Sequence, residues 1–134
     1  VEIIVSPEPI KQSQQPIILA RLFNDENAQA DTVTEMFLHN AVTNELLAGP
    51  ILKSGVVAGK NSLDQNFTAD FDLTTLAVGN YKLVAFVDFD AVERKAKKFF
   101  GVLEGDGEVI TVPETHPLLI ILIVFFILFI LNKK

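Results

Sequence analysis

The chain has 134 residues, 49% of them apolar, and a net charge of −6, which bounds it to one ordinary domain or one domain with an appendage. It has no cysteine, which excludes a disulfide scaffold, a thiolate metal centre and a cysteine nucleophile. Lys133 and Lys134 supply +2 at the end, so the rest carries −8, and an acidic body argues against nucleic acid, whose binders need a basic stripe.

In chain order, the first strand is expected over residues 2–5, with Pro7, Pro9 and Pro16 suited to strand edges, where a missing N–H is tolerated. A second strand spans 16–23 and stops at the acidic turn Asn24-Asp25-Glu26-Asn27. Strands over 32–40 and 45–52 flank a short hairpin at Val42-Thr43-Asn44; a helix over 31–47 competes there, but its Thr, Val and Asn content disfavours it. Residues 55–61 form a glycine-containing connection. The clearest alternation is Phe67, Ala69, Phe71 and Leu73 against Thr68, Asp70, Asp72 and Thr74, which predicts a half-buried antiparallel strand. After Val78-Gly79-Asn80 comes a strand over 81–90, then a basic turn at residues 94–98, then a last strand over 96–103. Seven strands with a turn signal every 8–12 residues predict an all-β, antiparallel β-sandwich over residues 1–104.

Leu76-Ala77-Val78-Gly79-Asn80-Tyr81 resembles the leucine-x-x-glycine-x-tyrosine corner that precedes the sixth strand of many immunoglobulin-like and fibronectin-III-like domains. Phe99-Phe100-Gly101-Val102 resembles their closing strand, and residues 16–24 resemble the second strand of prokaryotic adhesion-type repeats. The resemblance covers roughly residues 1–104 and implies an Ig-like sandwich of the kind found next to the membrane in prokaryotic surface proteins. Leu76, Gly79 and Tyr81 would be its structural corner, with the tyrosine hydroxyl bonded back to the chain. It implies an architecture and no activity.

Residues 105–116 read as a juxtamembrane linker, with an edge strand available over 109–112. Residues 118–131 are fourteen consecutive apolar residues, and a segment apolar all round must lie in a core or in lipid. A domain of about 115 residues rarely has a core that encloses such a helix, so lipid is the expected solvent. Fourteen helical residues span roughly 21 Å, against about 30 Å of hydrocarbon. His116, Pro117 and Asn132 extend the segment, and the lysines can snorkel. A transmembrane helix is therefore expected over 117–131, anchored by Leu118, Leu122, Phe125, Phe126, Phe129 and Leu131. Lys133 and Lys134 mark a cytoplasmic stub over 132–134, which places the N-terminal domain outside. An exported domain needs an export signal, and the first residues show none, so the chain reads as a processed product or the C-terminal piece of a longer protein.

Val112-Pro113-Glu114-Thr115-His116 resembles the leucine-proline-x-threonine-glycine signal cut by sortases, with valine for leucine and histidine for the glycine that enters the enzyme's groove. Asp70-Phe71-Asp72 and Asp88-Phe89-Asp90 place paired carboxylates on a strand's polar side, readable as a solvated face, a calcium site or an acid–base pair. His39 reads as a rim histidine, and no metal site or cofactor is expected. Val84, Phe86 and one of Phe99 or Phe100 are expected to face outward or to join a two-faced core. Asn66-Phe67-Thr68 fits the N-glycosylation triplet.

The expected function is a non-enzymatic, membrane-anchored, extracytoplasmic structural or adhesion module of a surface or envelope protein. Its expected partners are the lipid bilayer and other envelope proteins, with no nucleic acid. The alternatives are an accessory subunit of a larger membrane complex, and a ligand- or glycan-binding module using strand-end loops.

Overall fold

The structure, a computed structural model, describes residues 1–105. The chain divides into two compact units, Val1–Leu103 and Glu104–Lys134, and of the second only Glu104 and Gly105 fall within the described residues. The expected linker, Val112–His116 segment and transmembrane helix all lie outside them. Among the described residues no helix is long and apolar enough to cross a membrane.

The first unit is all-β: β1 (Glu2–Ser6), β2 (Ile10–Lys11), β3 (Ile17–Phe23), β4 (Ala30–Asn40), β5 (Leu46–Val57), β6 (Ser62–Asn66), β7 (Gly79–Phe89) and β8 (Val92–Leu103). They form two sheets, ordered β1-β3-β6 and β2-β8-β7-β4-β5. Pairing is antiparallel except between β2 and β8, where Ile10 meets Val102 in parallel. Alternate side chains point inward. Ile18, Ala20 and Leu22 of β3 join Met36 and Leu38 of β4 and Leu83, Ala85 and Val87 of β7 in one core between the sheets. That burial is the main favourable term holding the layers together. A buried polar contact also joins the sheets, where the Thr34 hydroxyl on β4 donates to Gln65 Oε1 on β6. A Cβ at Gly55 would fall 2.7 Å from Leu63 Cδ2, so a larger residue there would require the Leu63 side chain to shift.

Residues 67–74, where the alternation is clearest, do not form a strand. Thr68, Ala69 and Asp70 form a turn, and residues 71–73 have no regular structure, yet Phe67, Phe71 and Leu73 are fully buried. Phe67 N–H makes a last bond to Ile18 O at 2.8 Å, and Asp70 N–H then turns back onto Phe67 O at 3.0 Å. Beyond that point a side chain replaces the neighbouring strand, because the Ile18 N–H donates to the Thr68 hydroxyl at 2.9 Å. The Leu73 N–H donates to Gln15 Oε1 at 2.9 Å. The alternation arises here from a loop that sends Phe67, Phe71 and Leu73 into the core, while Ala69, at the turn between them, is exposed.

Further boundaries also move. β5 runs on to Val57, and the polar segment Ser62–Asn66, unmarked by alternation, forms β6. Residues 94–98 are not a turn but part of β8. The turn is Asp90-Ala91, with φ of +47° and +76°, closing β7 and β8 between the facing pair Phe89 and Val92. Positive φ at both central residues is the two-residue hairpin geometry that matches strand twist, and an alanine held there is strained. Ala91→Gly is expected to stabilise the domain by about 1 kcal/mol, read as a raised midpoint in urea with an unchanged slope.

Candidate functional site

β3 ends at Phe23, and the chain must cross from the first sheet to the second before β4 begins at Ala30. Asn24 organises that crossing. It is 3% exposed, and its amide donates to Ala28 O at 2.8 Å and Val57 O at 3.1 Å, while its Oδ1 accepts Glu26 N–H at 3.0 Å. Lys60 clasps the loop from outside, its Nζ donating to Asp25 O at 2.5 Å and its N–H to Glu26 O at 2.9 Å. Gly59 permits this contact, because a Cβ there would fall 2.0 Å from Asn27 O.

The β7–β8 hairpin ends beside this loop. Asp90 Oδ1 accepts the Asp31 N–H at 3.1 Å, and Asp90 N–H donates to Asp31 O at 3.0 Å. Between them lies a cleft of about 670 Å³ lined by Phe23, Asp25, Glu26, Asn27, Gln29, Phe89, Asp90, Val92 and Arg94, among others. Its lining residues thus include three carboxylates, one guanidinium and two phenylalanines. Arg94 makes no ion pair among the described residues.

The residues singled out from the sequence are dispersed. Asp70 pairs with Lys53 at 3.0 Å, and Asp72 accepts both the N–H and the hydroxyl of Thr74, at 3.0 and 2.5 Å. Neither sits on a strand, which corrects that expectation. Asp88 is on β7 opposite Glu93, and Asp90 alone of the four lines the cleft. Among the described residues no group of three or more His, Cys, Asp or Glu is placed to hold a metal ion. His39 lies opposite Lys82, its ring 6.1 Å from that of Phe37. Asn66 is exposed, and its Oδ1 accepts the Thr68 N–H at 2.8 Å. The buried Tyr81 stacks on Phe100 at 5.9 Å, and its hydroxyl donates to Ala77 O at 2.7 Å.

The register puts Val84, Phe86 and Phe99 on the outward face of the larger sheet and Phe100 on the inward one. Phe86 packs edge-on to Phe37 at 6.0 Å, and Lys95 Nζ lies 5.3 Å from its ring centre. Lys82, Lys95 and Lys97 share this face with Glu35, Asp88 and Glu93, so its charge is mixed.

Hydrogen bonds from Arg21, at 2.8 and 3.1 Å, hold the Asp64 carboxyl below the usual aspartate range. Those from Thr74 do the same for Asp72. Both carboxyls should titrate below about 3.9 in a carboxyl-detected NMR experiment, and Arg21→Gln should return Asp64 towards that value while leaving Asp72 alone. Because the folded values are depressed, their contribution to stability is complete above about pH 4 and is lost as pH falls through the folded values.

No protein-family model matches the chain, and no curated protein does. Among solved structures it is similar to the Pseudomonas fluorescens alkylpurine DNA glycosylase AlkC, bound to DNA containing an abasic site analogue. The identity is 14% and the TM-score 0.47, over 75% of this chain and 29% of that one. The chain thus spans less than a third of that protein's length.

These findings correct three expectations. The assignment to Ig-like or fibronectin-III-like domains of prokaryotic surface proteins gains no family match, and the solved structure named above is a DNA glycosylase. A six-residue corner motif fixes one turn and one hydroxyl contact, which is too little to define a family. The exclusions of enzyme activity and of nucleic acid are likewise withdrawn, since the matched protein is an enzyme and is bound to DNA. Net charge was the wrong quantity for the second exclusion, because a partner meets a local surface rather than a total. At this TM-score the likeness carries neither activity nor ligand to the present chain.

Proposed function

We propose that the chain is a membrane-anchored structural or adhesion module, with a two-sheet β-sandwich outside the cytoplasmic membrane and a transmembrane helix over 117–131. The observation that carries this reading is the fourteen-residue apolar run at 118–131, followed by Lys133 and Lys134. Such a run finds its best solvent in acyl chains, and the lysines favour the cytoplasmic side. A domain built of two packed sheets suits a mechanical or presenting role. The exposed apolar side chains of Val33, Leu52 and Phe99 favour, as a second reading, a subunit of a larger membrane complex.

The test is membrane fractionation of cells expressing the chain behind an added export signal peptide, which supplies the translocation signal that its first residues lack. Carbonate washing should leave it in the membrane, and protease added to intact cells should digest residues 1–104. Replacing Leu122 and Phe126 together by arginine should release it, since each central arginine costs about 2.5–3.5 kcal/mol on insertion scales. Release of the native chain by carbonate, or protection of the domain in intact cells, overturns the reading.

A further inference from the structure

We infer that the cleft between the β3–β4 loop and the β7–β8 hairpin is a binding site for a neutral carbohydrate. Its volume of about 670 Å³ falls in the range of small-ligand sites, about 300–1,000 Å³. Phe23, at the end of β3, is 54% exposed although it is a large aromatic, and Phe89 contributes a second apolar surface. Such rings can cover the C–H face of a sugar ring.

The polar lining narrows the chemistry further. Asp25, Glu26 and Asp90 only accept hydrogen bonds, Arg94 only donates, and Asn27 and Gln29 do both. A sugar hydroxyl donates and accepts, so a polyol can satisfy all of them at once. An anionic ligand would meet three carboxylates, and a wholly apolar one would leave the polar groups without partners; a cationic one would pair with the carboxylates but leave Arg94 and the phenylalanine surfaces unused, and trilysine in the test below distinguishes it. The wall is also set in advance. Asn24 bonds the loop from within and Lys60 from outside, which reduces the ordering cost of binding. The cleft lies at the Val92 end of β8, and the chain leaves that strand at its other end, Leu103.

The inference does not depend on membrane anchoring. It is tested on the full chain in an amine-oxide detergent, which has no sugar headgroup to compete. Chitotriose, cellotriose and mannotriose are titrated by calorimetry. At least one should saturate the protein with Kd between about 10 µM and 1 mM. Phe23→Ala and Arg94→Ala should each weaken that binding about tenfold, Phe23→Trp should preserve it, and Leu47→Ser, at the other end of the domain, should leave it unchanged. Three results overturn the site: no saturation by any trisaccharide, equal binding by Phe23→Ala and Arg94→Ala, or tighter binding of trilysine than of every sugar. Membrane fractionation is a separate measurement, so failure of one proposal is distinguishable from failure of the other.

Discussion

Phe67→Ala should remove about 4 kcal/mol of stability, the middle of the range for truncating a buried aromatic. The ring is fully buried, lies 6.3 Å from Phe71 and has Lys53 Nζ 5.2 Å from its centre. Lys53 is in turn held by Asp70 at 3.0 Å, so the lysine and the loop close over the ring together. Removing it opens a cavity beneath a segment that has no ladder on either side to support it. For a domain of this size, with about 5–15 kcal/mol in all, the loss should lower the melting temperature by about 20 °C. The measurement is thermal unfolding followed by circular dichroism. Phe99→Ala is the control, because Phe99 is 58% exposed and its truncation should cost under about 1 kcal/mol. Equal losses at the two positions would show that Phe67 is not a core residue.

Asn24→Ala should cost about 3 kcal/mol, because it leaves the buried Val57 carbonyl and the Glu26 N–H without this partner. Asn24→Asp is the sharper test. The shape is kept and Oδ1 still accepts, but the donor that faces Ala28 O and Val57 O becomes an acceptor. At neutral pH the aspartate variant should lose at least as much as alanine. Part should return in acid, where the protonated carboxyl can donate again; a carboxyl with a raised folded pKa is destabilising above that value and recovers below it. Gly59→Ala should disturb the same loop from the other side, since its Cβ would meet the Asn27 backbone. The Asn24 and Gly59 effects should be less than additive, because both act by releasing one loop. Urea denaturation of the three variants and the double variant gives these values.

Strands β1, β3, β4 and β7 were legible because their alternation coincides with a face that is buried in the fold. β6 was not, because its inward residues are a single apolar one, Leu63, and Gln65, which is satisfied by a hydroxyl from the opposite sheet. The strand assigned to 67–74 failed for the converse reason: period-two burial reports which side chains reach the core, not whether a ladder exists beside them. The basic segment was read as a turn because Arg94, Lys95, Lys97 and Lys98 interrupt the apolar pattern, whereas in β8 they occupy outward and rim positions. Its true turn, Asp90-Ala91, lacks the glycine that would have announced it.

The candidate cleft shows the same division. The acidic turn at 24–27 was visible as a turn, and Asp90 was noted as one of a carboxylate pair. Nothing along the chain indicated that Phe23, Asp25 and Arg94 would border one space. Composition and local pattern determined by themselves that the body is β-rich, that no thiol chemistry is available, and that residues 118–131 are an unbroken apolar run, because these depend on residue type and near-neighbour spacing. Which strands pair, which apolar loop enters the core and which distant polar groups share a cleft were decided only in three dimensions. Those contacts join residues tens of positions apart, and their energies depend on what each group finds opposite it.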